Sequence, residues 1–208
     1  MRDRLTAKEP GKPQLDKIPI GSWIVANALG LGLAFGLFGL VGGVIEALGA
    51  DHDSAARNVP AILAMAAGGV VFATLRRRAL HDQDDGSAWR LVLVGLSVPA
   101  GFLAGLGVAP FDWMGALLVG GTVGAVVQLG SYRPVNARGV LASAACWLAA
   151  GLIFTASAVL VIDVLLVGVL GLSGDGAASF ALIVTLLGMV GGAAGSVIEA
   201  STVSRRND

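Results

Sequence analysis

Residues 22–45 read SWIVANALGLGLAFGLFGLVGGVI, and no charged side chain lies anywhere between Lys17 and Glu46. A helix of about 20 apolar residues crosses the hydrocarbon core of a bilayer. Only a helix or a closed barrel satisfies its backbone polar groups where there is no water. The stretch therefore predicts a transmembrane helix. Its long polar lead, and an apolar run longer than a signal peptide carries, predict a retained span and not a cleaved leader.

Five further stretches follow the same rule: 59–75, 91–109, 113–129, 139–162 (with room to continue to 171) and 177–198. The composition agrees. Apolar residues make up 55% of the 208 and charged residues 13%, about half the charge of a soluble domain. Such a chain is too apolar to be disordered, and its 31 glycines lack the three-residue period of collagen. A single cysteine, Cys146, excludes an internal disulfide and a cysteine metal site. The balance of 14 basic and 14 acidic residues excludes a basic nucleic-acid binder.

That balance hides an asymmetry. Arg2, Arg4, Lys8, Lys12 and Lys17 precede the first span. Arg76, Arg77, Arg78 and Arg90 flank the second loop, Arg133 and Arg138 the fourth, and Arg205 and Arg206 end the chain. With six spans all of these lie on one side, leaving Arg57 alone on the other. The positive-inside rule then places both termini in the cytoplasm of a bacterial inner membrane and calls for an even number of spans. Trp23, Trp89 and Tyr132 fall at cytoplasmic ends and Trp113 at an outer end, the positions of interfacial aromatics. Trp147, two turns inside the fifth span, belongs to the bundle interior.

Short connections between the third and fourth and the fifth and sixth spans make antiparallel hairpins. The even spans end in related stretches: Gly69-Val-Val-Phe72-Ala-Thr-Leu-Arg76, Gly121-Thr-Val-Gly124-Ala-Val-Val-Gln128 and Gly192-Ala-Ala-Gly195-Ser-Val-Ile-Glu199. Each odd span carries a tryptophan in its first half. The expected fold is an all-α bundle of six spans in three tandem hairpins, over 21–78, 89–133 and 138–202. Tails 1–20 and 203–208 flank a transmembrane domain 21–202. Gly39-Leu-Val-Gly42-Gly-Val-Ile-Glu46 matches the same pattern at the opposite end of its span, an accidental or an inverted match. This arrangement resembles uncharacterised bacterial multi-span proteins built of Gly-rich, Trp-led hairpins. The resemblance implies the hairpin fold and brings no function with it.

Small residues recur four apart, at Gly32 and Gly36, Gly39 and Gly43, Gly101 and Gly105, Gly120 and Gly124, Gly188 and Gly192, and Gly191 and Gly195. Faces of this kind let helix backbones approach closely. They serve packing within the bundle, oligomerisation, or a glycine-lined path for a small solute. Gln128 and Glu199 continue two of these faces, and Arg76 takes the matching place in the second span. Together they form a candidate polar cluster.

Glu46 and Asp163 are the acidic residues nearest the far ends of long spans. Buried in the membrane, either is a proton or cation site; at the interface, either is a solvated end residue. Pro99 is the expected hinge of the third span, and Pro60 falls in the first turn of the second. His52 and His81 lie in loops on opposite sides, so they cannot jointly ligate a haem, and Asp51-His52-Asp53 is a poor metal site for three consecutive residues. No lysine follows Lys17, no Walker, HExxH or GxSxG motif occurs, and Ser97 has no intramembrane base. The sequence thus predicts no catalytic residue, no metal and no cofactor. The expected function is a non-catalytic subunit or scaffold whose partners are the bilayer and a membrane protein or second copy. A small-solute or ion transporter and a lipid- or pigment-binding accessory protein are the alternatives.

Overall fold

A computed structural model describes residues 20–79, 88–108 and 176–204, with the isolated positions 145 and 149. The side chains of 90, 104–108 and 199–204 are outside the description. All regular structure among these residues is helical: α1 (Ile20–Ala47), α2 (Ala55–Ala79), α3 (Ala88–Val108) and α4 (Ala177–Ser204). They correspond to the first, second, third and sixth predicted spans. The fourth and fifth spans, and with them the six-helix count and the second and third hairpins, lie outside the described residues.

Three of the helices, Ile20–Ala47, Ala55–Ala79 and Ala177–Ile198, are long and apolar enough to cross a membrane. At about 1.5 Å per residue, the 28 residues of α1 span the hydrocarbon core and part of both headgroup layers. Leu29, Leu40, Val59, Leu63, Val92 and Leu96 are among a mantle of large apolar side chains turned outward. In water such a surface is unfavourable, and in lipid it is the expected exterior. The chain is a membrane protein.

The turn between α1 and α2 is closed by local chemistry. Gly49 takes φ +99°, its N–H donates to the Glu46 carbonyl at 2.9 Å, and the Ala50 N–H donates to the Ile45 carbonyl at 3.3 Å. That pair of bonds is a Schellman termination, which favours glycine at this position. Ser54 then caps α2: its Oγ accepts from the Arg57 N–H at 3.3 Å and donates to the Asp51 carbonyl at 2.7 Å. Because the cap lies at Ser54, α2 begins four residues before the apolar run. Pro60 is consequently its sixth residue, not part of the first turn, and it leaves the Ala56 carbonyl without its i+4 donor.

Helix α1 is packed on two sides. Gly30 meets Phe72, Ala34 meets Gly68 and Gly42 meets Ala61 of α2. Gly32 meets Met189, Gly36 meets Thr185, Gly39 meets Ala181 and Gly43 meets Ala177 of α4. In both sets one number rises as the other falls, so α1 is antiparallel to both neighbours. The closest of these approaches need glycine: a Cβ on Gly43 would lie 2.6 Å from the Ala177 Cα, and one on Gly68 2.5 Å from the Ala34 Cα. Helix α3 covers the α1–α2 groove. Phe102 sets its ring edge against Phe38 (5.1 Å) and Phe35 (6.3 Å), over a core of Ala34, Phe38, Ala61 and Met65.

Pro99 is buried within α3, which is helical on both sides of it. Proline cannot donate to the Gly95 carbonyl one turn back. That carbonyl instead faces Gly69 of α2, where any Cβ would overlap it.

Candidate functional site

Polar side chains gather at the two ends of the α1–α2 pair. At the turn end, Glu46 occupies the last turn of α1 and Arg57 the first turn of α2. Arg57 Nε donates to Glu46 Oε2 at 3.0 Å. Its Nη1 donates to the His52 carbonyl at 3.3 Å and to Asn58 Oδ1 at 2.9 Å. His52 Nδ1 lies 3.2 Å from the same Glu46 oxygen.

The pair is lopsided: the Arg57 side chain is 6% exposed and the Glu46 side chain 44%. The guanidinium rests beside Gly42, where a Cβ would lie 3.6 Å from Cζ, and the aliphatic stem is covered by protein. Arginine suits this place because its planar fork serves several acceptors at once. A carboxylate at a helix C-terminus meets the negative end of the dipole, so Glu46 gains most from a cation beside it. The arrangement ties the end of α1 to the start of α2.

At the opposite end, Arg76 is again buried. Its Cζ sits 4.2 Å from the centroid of the Trp23 ring and 5.5 Å from that of Phe72. Trp23 packs with Ala26 and Ala79, so at its end of the span the ring is turned to the neighbouring helix and supports a cation. Asn27 is fully buried; its Nδ2 donates to the Trp23 carbonyl at 2.8 Å, and its Oδ1 has no partner among the described residues. On the α4 side, Ser196 is buried and donates to the Gly192 carbonyl at 2.6 Å. A Cβ on Gly192 would overlap the Asn27 carbonyl oxygen.

Of the sequence candidates, Arg76 has this π setting, Gln128 lies outside the described residues, and Glu199 is placed in α4 without a described side chain. Glu46 is half exposed and ion-paired; Asp163 lies outside the described residues. Gly32, Gly36, Gly188 and Gly192 line the α1–α4 contact. Gly101 and Gly195 are buried and Gly191 is half-buried. Gly105 is in α3 without further description, and Gly120 and Gly124 lie outside. Among the described residues, no group of three His, Cys, Asp or Glu side chains gathers as a metal site.

Sequence reasoning missed Arg57, Asn27 and Ser196. By sequence Arg57 reads only as a charge on the far side of the membrane. Its signal was the spacing Glu46 to Arg57 across a Gly-containing turn, which returns the chain to its own helix end. Asn27 and Ser196 signalled themselves only as polar residues inside apolar runs. No family model matches the chain, and neither a curated protein nor a solved structure matches it.

Proposed function

We propose that this chain is a non-catalytic multi-pass membrane protein acting as a scaffold or accessory subunit. In this reading it has six spans in three hairpins and both termini on the cytoplasmic side. The observation that carries it is the double packing of α1. On each side a neighbouring backbone comes so close that a side chain is excluded, at Gly30 and at Gly68 opposite Ala34 towards α2 and at Gly39 and Gly43 towards α4, and polar groups join helices at each end. Such contacts favour one rigid arrangement. Glu46 is engaged with Arg57 and His52, a bracing role. The 13 basic residues on one predicted face support the orientation.

The test is purification in mild detergent followed by native mass spectrometry, alongside flux measurements on proteoliposomes. A stoichiometric partner or a defined homo-oligomer, with no flux, supports the scaffold. Proton, ion or solute flux abolished by Asp163→Asn or Glu46→Gln overturns it in favour of transport.

A further inference from the structure

Asn27 is fully buried, and it lies about 10 Å along the axis from the start of α1 at Ile20. At that depth in a bilayer there is no bulk water to satisfy a polar atom. Its carboxamide carries an NH2 donor and an oxygen acceptor. Nδ2 donates to the Trp23 carbonyl at 2.8 Å, and Oδ1 has no donor among the described residues. Turning the amide over does not help, because Oδ1 would then face the Trp23 carbonyl, acceptor against acceptor. A bare amide oxygen is unfavourable inside a protein, and buried polar atoms are nearly always partnered, by protein or by ordered water.

The surroundings narrow what the partner is. Gly30 meets Phe72 and Ala34 meets Gly68, so each step along α1 matches a step back along α2. That register sets Asn27 opposite Leu75 and beside Arg76. Arg76 is 5% exposed and lies over the ring of Trp23, the residue whose carbonyl Asn27 holds. A guanidinium engages a ring by its face, and its N–H groups point outward in its own plane. On the other flank α4 comes so close that a Cβ on Gly192 would overlap the Asn27 carbonyl oxygen. Nothing bulky reaches Asn27 from that side.

Charge then decides the class of ligand. A cation suits Oδ1 but is repelled by Arg76. An anion suits Arg76 but meets the lone pairs of Oδ1. A neutral hydroxyl answers both: it gives a proton to Oδ1 and turns lone pairs towards the guanidinium. We propose that Asn27 and Arg76 form a buried hydration site, holding one ordered water between α1 and α2. The site goes beyond the scaffold reading and is independent of it, since a sealed water is compatible with a scaffold and with a transporter.

Water-edited solid-state NMR on the full-length protein in hydrated bilayers tests the site. Asparagine and methionine are labelled with nitrogen-15, and Asn27→Leu and Met65→Leu identify the two signals needed. Met65 is as deeply buried as Asn27 and is apolar, so its backbone amide reports a dry interior. Magnetisation from water reaches the Asn27 side-chain amide roughly threefold or more as strongly as the Met65 amide, because an ordered buried water sits on its partners. Arg76→Met cuts the transfer to Asn27 by about half or more, since the water loses one of its polar partners. Transfer to Asn27 no greater than to Met65 overturns the hydration site. Unchanged transfer in Arg76→Met overturns the share assigned to Arg76. If Arg76→Met does not accumulate, Arg76→Gln replaces it with the same two readings, and the measurement on the unaltered chain still decides the site.

Discussion

Arg57 of α2 grips the Glu46 carboxylate of α1 at 3.0 Å while itself almost wholly withdrawn from solvent. The cost of breaking such a pair falls on the buried partner, because a guanidinium left without its counter-ion is poorly compensated. We expect Glu46→Gln to lower thermal stability in detergent. The double variant Glu46→Gln/Arg57→Met should lose less than the sum of the two single losses. A double-mutant cycle on unfolding midpoints measures the coupling; strict additivity would show that the contact carries none.

Glycine is required at some positions and incidental at others. Gly68→Ala and Gly43→Ala push a methyl group against the Ala34 and Ala177 backbones. Each should cost about 1–3 kcal/mol, the usual range for overpacking. Gly21→Ala has nothing within 4 Å of its new Cβ and should change stability by no more than about 1 kcal/mol. Equal effects at all three positions, read by denaturant titration, would sink the close-packing account.

The turn offers a backbone test. Gly49 holds φ +99°, where an L side chain is strained by about 1–2 kcal/mol. Gly49→Ala should destabilise by that amount and Gly49→Asn by less. Indistinguishable melting curves for the two variants would remove the conformational explanation.

The buried Arg76 sits over Trp23 at 4.2 Å, a contact worth about 0.5–2 kcal/mol, toward the upper end where water is excluded. Trp23→Phe should retain part of it and Trp23→Leu little. Either loss should shrink once Arg76 is already glutamine. If Trp23→Leu costs the same in both backgrounds, the ring supports the bundle by packing alone.

Much of the helical layout was legible because hydropathy reports burial in lipid directly. The runs 22–45, 59–75, 91–109 and 177–198 fall within Ile20–Ala47, Ala55–Ala79, Ala88–Val108 and Ala177–Ser204 to within a few residues. The start of α2 was missed because Arg57 and Asn58 read as loop by polarity, while the helix was set by the Ser54 cap. The glycine spacing marked faces but not what they face. Gly36 and Gly42 look alike in the sequence, yet one meets Thr185 of α4 and the other Ala61 of α2. Period alone cannot separate two buried stripes on one helix.

The site was less legible for a related reason. A carboxylate near a span end reads the same whether it is solvated, buried or paired, and the partner of Glu46 is a residue eleven positions later. Trp23 shows the converse. An aromatic at a span end suggests the interface, but the arginine one helix away draws it inward.

The pairing of α1 with α4 also bears on biosynthesis. The two helices are separated by about 130 residues of chain, so at about 5–20 residues per second α4 emerges roughly 6 to 26 seconds after α1. Throughout that interval the Gly32, Gly36, Gly39 and Gly43 face of α1 has no permanent occupant. The nascent chain must shield it with lipid, the insertion machinery or a transient helix, and maturation ends in an exchange of that temporary cover for α4.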